Sequence, residues 1–202
     1  MRNIWKMTTT RLIIAISTLA FFSGCSHYVL NDSGYPRPPK KYKFSYSKNE
    51  SHLTDTTIID TTAIYYLSNS NYYRNSSNYK NTDHYIRFYS DGHYKLQAVK
   101  EYPKIEDIND IRKGNVGYYK LKGNVIKLQL YSDINAGSDQ LQFGLIDENN
   151  NLVLLNENPR TDFCIGYSES GIKRKIRKAS FFNPLFYTKI RLNGMTYDRP
   201  DW

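Results

Sequence analysis

Apolar and polar residues alternate along much of the chain beyond residue 55, a pattern typical of β-strands that bury one face. The clearest example is YIRFYSDGHYKLQAV, residues 85–99. A three-residue turn at residues 90–92 brings its apolar residues together on one face, whereas a two-residue turn mixes polar and apolar residues. The predicted cross-strand pairs are Phe88 with Tyr94, Ile86 with Leu96 and His84 with Ala98.

Other alternating or β-branched stretches follow, and Gly, Asn and Asp mark the turns between them. They are TTIIDTTAIYYL (56–67), GYYKLKGNVIKLQL (117–130), QLQFGLI (140–146), LVLL (152–155), DFCIGYS (162–168) and KIRLNGMTY (189–197). In the last of these, Asn193-Gly194 favours a type I′ turn that pairs Ile190 with Tyr197 and Leu192 with Met195.

Roughly nine to eleven short strands at a spacing of about 8–12 residues indicate an antiparallel fold, and no βαβ alternation supports a parallel sheet. Residues 104–113 place Ile105, Ile108 and Ile111 at helical spacing between a Pro and a Gly. The predicted fold class is therefore all-β: an antiparallel meander forming a barrel or a sandwich. One short helix lies across a barrel end or a sheet edge.

The order F-x-x-D-G, then G-x-Y-x-L-x-G-N-x-I-x-L, resembles the small lipocalin-like lipoproteins of unknown function. The residues that carry this resemblance are Phe88, Asp91, Gly92, Gly117, Tyr119, Leu121, Gly123, Asn124, Ile126 and Leu128. The resemblance implies an all-β domain and no particular activity.

The N-terminus has the layout of a secretory signal peptide. Three basic residues precede residues 12–22, which are apolar or small apart from Ser17 and Thr18. This apolar run is shorter than the roughly 20 residues that a transmembrane helix needs. A basic start, a short apolar run and small residues at its end are typical of a cleaved signal.

Cys25 directly follows the small residues Ser23 and Gly24. The segment resembles a bacterial lipoprotein signal, in which the lipobox Cys is acylated and becomes the first residue of the mature chain. Phe22 stands where Leu is usual, and the alternative is an ordinary signal peptide that ends near a Cys. By the same resemblance, Ser26 rather than Asp after the Cys favours the outer membrane. The periplasm-facing side is the default, because no acidic cluster follows Cys25.

The predicted organisation is a lipoprotein signal peptide (1–24), a lipidated Cys with a flexible Pro/Lys-rich tether (25–54) and a single antiparallel β domain (55–202). The tether prediction rests on the composition of residues 36–43, which favours an extended spacer between the lipid and the domain. Its prolines and lysines are Pro36, Pro38, Pro39, Lys40, Lys41 and Lys43.

Charge and cysteine content narrow the function classes. The formal net charge of the 202 residues is +9, and removing the three basic residues of segment 1–24 leaves +6. We predict no nucleic-acid binding, because the charge is modest and no recognition motif is present. Cys164 is the one thiol left besides Cys25, so the domain has no internal disulfide, and Cys164 is expected on a buried strand.

No catalytic, metal or cofactor site is predicted. The serines in IGYSESG miss the G-x-S-x-G nucleophile elbow by one position, and that elbow needs a later His, whereas the last His here is His93. The histidines show no spacing typical of metal ligands. An enzyme is therefore the least supported class.

A run of basic residues, KRKIRK, remains as candidate chemistry. One interpretation is a solvated loop or an edge strand protected by charge. The other is contact with anionic headgroups or lipopolysaccharide phosphates. The candidate contact residues are Lys173, Arg174, Lys175, Arg177 and Lys178.

Together these features predict a lipid-anchored cell-envelope lipoprotein that binds a partner protein or an apolar ligand in a barrel mouth. The alternative is a structural or assembly lipoprotein without a small-molecule site. The expected partners are the membrane, through the lipid anchor, and another envelope protein or anionic lipid. An apolar cavity inside a closed barrel favours ligand binding, whereas an interior filled by side chains argues against it.

Overall fold

The structure is a computed structural model that describes residues 28–44, 58–68, 82–133, 137–155, 168–178 and 184–198. Ten strands and two helices are present in this part of the chain. The strands are β1 (Val29–Leu30), β2 (Pro36–Arg37), β3 (Ala63–Leu67), β4 (Asp83–Phe88), β5 (His93–Val99), β6 (Asn115–Lys122), β7 (Val125–Ser132), β8 (Ser138–Ile146), β9 (Leu152–Leu154) and β10 (Leu185–Arg191). The helices are α1 (Ile105–Asn109) and α2 (Glu169–Arg177).

Strands β3 to β10 form a closed antiparallel barrel in the order β10-β3-β4-β5-β6-β7-β8-β9, and β1 and β2 form a separate two-stranded sheet. The all-β prediction is confirmed, and of its two forms the barrel is the observed one. Successive strands pair as neighbours, and β10 closes the barrel by pairing with both β9 and β3.

The β4–β5 hairpin has the predicted register. Phe88 lies opposite Tyr94, Ile86 opposite Leu96 and His84 opposite Ala98. The turn closes through a hydrogen bond from the Tyr89 N–H to the His93 carbonyl at 2.9 Å, and Gly92 adopts a φ of 88°. The apolar pattern fixes this register, because a shift of one residue would move every apolar side chain to the other face.

The barrel interior is packed with apolar and aromatic side chains. Phe88 lies near its centre, with ring centroids 5.3 Å from Tyr65, 5.9 Å from Tyr94 and 4.8 Å from Tyr119. The other buried interior residues are Ile59, Leu67, Ile86, Ile126, Leu128, Ile146, Leu152, Leu154, Leu185 and Tyr187. None of these residues is more than 5% exposed.

Three elements cover parts of the outer face of the barrel. Helix α1 and the segment after β10 pack on β3 and β4, helix α2 packs on β7 and β8, and residues 28–44 pack on β6 and β7. The α2 contact explains the pattern of β8. Its apolar residues Leu141, Phe143 and Leu145 lie on the outer face under the helix, whereas Gly144 faces inward opposite Ile126.

The prediction of a flexible tether is wrong for residues 28–44. Arg37 donates hydrogen bonds to the carbonyls of Arg112 at 2.6 Å and Gly114 at 2.9 Å. The rings of Tyr42 and Phe44 lie 4.9 Å and 6.2 Å from that of Tyr131. Contacts with distant parts of the chain therefore hold this Pro- and Lys-rich segment on the barrel. Residues 45–54 of the predicted tether lie outside the described residues.

Two further expectations need correction. The turn at Asn193-Gly194 forms, with a φ of 84° at Gly194, but residues 195–198 form no return strand. The Thr196 N–H instead donates to Asn109 Oδ1 at 3.0 Å, which ties this segment to α1.

The single predicted helix is α1, and the basic run lies in a second helix, α2, rather than in a loop or an edge strand. The predicted strand at 162–168 lies outside the described residues apart from Ser168.

Candidate functional site

The basic run forms most of helix α2, and its sequence explains why a helix forms there. Ser168 caps the N-terminus by accepting a hydrogen bond from the Gly171 N–H at 3.2 Å. Glu169 lies in the first turn and three basic residues lie in the last, which suits the helix dipole. Ile172 and Ile176, four residues apart, pack on the outer face of the barrel.

The helix separates the five candidate basic residues into two groups. Lys173, Arg174, Arg177 and Lys178 are exposed, whereas Lys175 is buried at 6% exposure on the face that meets the barrel. Lys173 forms an ion pair with Glu169 at 2.8 Å. The four exposed cations are therefore available to an anionic surface, and the prediction that Lys175 contacts such a surface is wrong.

Cys25, the predicted lipidation site, lies outside the described residues, as does Cys164. Within the described residues, no helix is both long and apolar enough to cross a membrane. No group of three or more His, Cys, Asp or Glu side chains suited to a metal ion occurs in that same part of the chain.

A pair of buried cations, Arg87 and Lys95, was not predicted. They lie opposite each other on the outer face of β4 and β5, under α1, at 1% and 0% exposure. The alternation of the hairpin places both on its polar face, but no local signal shows that a helix covers that face. The sequence therefore locates these side chains on the sheet without revealing their burial.

Both cations bind the C-terminal end of α1, which has no basic residue in its own last turn. Lys95 Nζ donates to the carbonyls of Asp107 at 3.1 Å and Asp110 at 2.8 Å. Arg87 donates to the Ile108 carbonyl at 2.9 Å. The donors of both side chains satisfy free carbonyls at this end of the helix, and the charge of Arg87 favours the helix dipole. The pair therefore has a structural role, because its donors are directed at backbone carbonyls.

Burial and the neighbouring Arg87 lower the pKa of Lys95 to about 7 from its usual 10.5. Between these two pH values, Lys95 is protonated in the unfolded chain and mostly deprotonated in the folded chain. The contribution of Lys95 to stability therefore increases as the pH rises from about 7 towards 10.

We expect the stability difference between the wild type and Lys95→Met to shift in favour of the wild type over this range. The slope is at most about 1.4 kcal/mol per pH unit. Urea unfolding at pH 7, 8 and 9 measures the difference, and the exposed Lys104→Met serves as the matched control. A difference that stays constant across the three pH values contradicts the assignment.

Three surface depressions occur at the described residues. One, of about 580 Å³, lies between residues 31–44 and the barrel, and its lining includes Arg37, Lys40, Lys43 and Arg112. The other two, of about 310 and 320 Å³, lie at one end of the barrel, the first near Asp91 and the second near Asp60 and Arg191. The depression near Asp91 reaches the interior residue Phe88.

The fold and these surfaces were compared with known proteins. No family model matches the chain, and no curated protein and no solved structure matches it significantly. In its described residues, the chain forms an eight-stranded antiparallel closed barrel with a packed interior and two helices on its outer face.

Proposed function

We propose that this protein is a lipid-anchored cell-envelope lipoprotein whose barrel acts through its outer surface. In this proposal, acylated Cys25 holds the chain in the membrane, and the outer face binds anionic lipid or another envelope protein. The resemblance of its N-terminal segment to a lipoprotein signal supports an outer-membrane location facing the periplasm as part of this proposal.

The packed barrel interior is the observation that carries the choice of the outer surface. A site for a drug-sized ligand needs a cavity of about 300 Å³ or more. The buried interior cluster is at most 5% exposed, although the inward-facing Leu96, Leu121 and Leu130 that pack on it are partly exposed. Side chains therefore fill most of the described interior. Of the described depressions, one of about 310 Å³ reaches Phe88 at the barrel end, and one of about 580 Å³ on the outer side includes four cations in its lining. Binding of an apolar ligand inside the barrel is accordingly not part of the proposal.

The second candidate function is a structural or assembly lipoprotein without a small-molecule site. The packed interior favours it as well, since a filled closed barrel serves as a rigid spacer. The two candidates share the lipid anchor and differ in whether the outer surface recognises a defined partner. A test of the anchor therefore bears on both.

Cys25→Ser is expected to abolish lipid attachment, because the thiol is the acyl acceptor in the proposed modification. We expect the wild type to incorporate labelled palmitate and to be cleaved to the mature chain, and Cys25→Ser to lose both properties and to remain an uncleaved or unacylated precursor. Cys164→Ser, which removes the other cysteine, is the matched control and should keep both properties. Palmitate labelling that persists in Cys25→Ser would falsify the anchor.

A further inference from the structure

The N-terminal segment and the basic helix lie on the same side of the barrel. Strand β7 shows this directly, because its outer face contacts both elements. Val125, near one end of β7, belongs to the apolar cluster under α2. Tyr131, near the other end, belongs to the cluster that holds Tyr42 and Phe44. The outer side of β6, β7 and β8 therefore carries both elements next to each other.

The N-terminal hairpin exposes apolar residues at this side. Val29 is 61% exposed and Leu30 is 56% exposed, and β1 pairs with β2 alone. Two adjacent apolar side chains in contact with water favour burial against an apolar phase. The same segment carries three exposed basic residues, Lys40, Lys41 and Lys43.

Cations continue across this side towards α2. The outward-facing positions of β6 and β7 include Lys120, Lys122 and Lys127, and Lys120 lies directly opposite Lys127. The exposed cations of α2 follow on β8, namely Lys173, Arg174, Arg177 and Lys178. Among the described residues, acidic side chains on the same side include Asp32 at the depression, the exposed Asp133 after β7, Glu169 paired with Lys173 and Asp139 bonded to Gln129. Cations therefore dominate this side.

Chain length ties this side to the proposed anchor. Because the segment beginning at Tyr28 packs on the barrel, residues 26 and 27 alone separate Cys25 from it. The four Cα–Cα steps from Cys25 to Val29 reach at most about 14 Å when fully extended. A membrane headgroup region is about 5–8 Å thick. An acylated Cys25 thus keeps the hairpin at or next to the headgroups.

We propose that the barrel docks on an anionic lipid surface through one face. This face is the outer side of β6–β8 together with the β1–β2 hairpin and α2. Val29 and Leu30 enter the interface beside the lipidated Cys25, and the surrounding cations bind headgroup phosphates. This inference rests on the proposed function, because it takes Cys25 as the anchor. It adds a fixed orientation: β3, four strands from β7 in either direction, faces away from the membrane.

Lysine acetylation tests the orientation on the lipoprotein purified from membranes. The protein is reconstituted in phosphatidylcholine vesicles with and without one-third phosphatidylglycerol, and modification is read by mass spectrometry. We expect Lys40, Lys43 and Lys178 to react about fivefold more slowly in the anionic vesicles. Lys100 and Lys104, exposed between β5 and α1 and outside the proposed face, are the internal controls and should react equally in both.

Two multiple variants distinguish the contribution of the docking face from that of the lipid anchor at Cys25. Lys173→Gln/Arg174→Gln/Arg177→Gln should restore most of the reactivity of Lys40 and Lys43, whereas the matched Lys100→Gln/Lys104→Gln should not change it. Both variants should still float with the vesicles, because Cys25 is intact. Equal protection of Lys40 and Lys104 in floating protein overturns the docking face alone. Wild-type protein that fails to float with the vesicles overturns the anchor, and the docking face with it.

Discussion

Gly117→Ala is expected to lower the free energy of unfolding by about 3 kcal/mol, through overpacking of the barrel interior. Gly117 lies on β6 between Tyr94 of β5 and Leu130 of β7. A Cβ at this position would lie 2.2 Å from the Gln129 carbonyl oxygen and 2.6 Å from Cε1 of Tyr94. Both distances are far below van der Waals contact, so the strand or the ring must move.

The nearby carbonyl oxygen of Gln129 is the main reason why Gly117 does not tolerate a larger residue. A ring can rotate away from a new methyl group, but the Gln129 carbonyl belongs to the β6–β7 pairing and cannot shift without disturbing it. Shortening Tyr94 in the Gly117→Ala background should therefore rescue little of the lost stability. Urea unfolding followed by circular dichroism measures both effects.

Gly123→Ala is the matched control for this prediction. Gly123 has a φ of 55° in the β6–β7 turn, and nothing lies within 4 Å of the position of its Cβ. The variant therefore carries only the cost of the left-handed backbone, about 1 kcal/mol. Equal losses for the two variants would show that backbone conformation, rather than close packing, accounts for the effect at Gly117.

Arg87→Met is expected to destabilise the barrel by about 3 kcal/mol and to release the segment after β10. Arg87 donates to the carbonyls of Ile108 and Thr196 and, at 3.3 Å, to Asn109 Oδ1. One buried side chain thus ties β4 to α1 and to the C-terminal segment. Methionine fills similar space but leaves these acceptors without their donor, which is the costly outcome for buried polar groups.

Hydrogen exchange distinguishes this role from general loss of stability. In Arg87→Met, the amide of Thr196 should exchange faster even where β6 and β7 keep their protection, because its segment detaches locally. Arg191→Met is the matched control: this Arg is exposed and pairs with Asp60 at 2.8 Å, so its loss should cost less than about 1 kcal/mol. Similar effects of the two substitutions contradict the bridging role of Arg87.

The parts of the fold that sequence reasoning predicts are those fixed by local alternation. The β4–β5 register follows from the apolar set around Phe88, since any other pairing mixes the faces. Helix α1 follows from isoleucines at helical spacing between Pro103 and Gly114. Alternation also predicts that β8 buries one face, but it carries no information on whether the barrel interior or a helix covers that face.

The parts that were missed depend on contacts between distant segments. Helix α2 carries two helix signals in its sequence, the four-residue spacing of Ile172 and Ile176 and the capping residue Ser168. The high charge of KRKIRK favoured a solvated loop or an edge strand instead. The packing of residues 28–44 depends on Arg37 reaching carbonyls more than seventy residues away in sequence, at Arg112 and Gly114. A composition rich in Pro and Lys gives no indication of such acceptors. The basic run of the candidate site is visible in the sequence, whereas the packing of residues 28–44 beside it depends on contacts that no local pattern reveals.

The position of β10 in the sequence determines when the barrel can close during folding. Strand β10 is the last in the sequence, yet it joins β9 to β3, and β3 is the first strand of the barrel. A chain that emerges from its N-terminus, at a ribosome or an export channel, must hold β3 with an open edge until β10 arrives. The barrel therefore cannot close until β10 has emerged, and a product truncated before β10 presents two unpaired edges ready to join those of another copy.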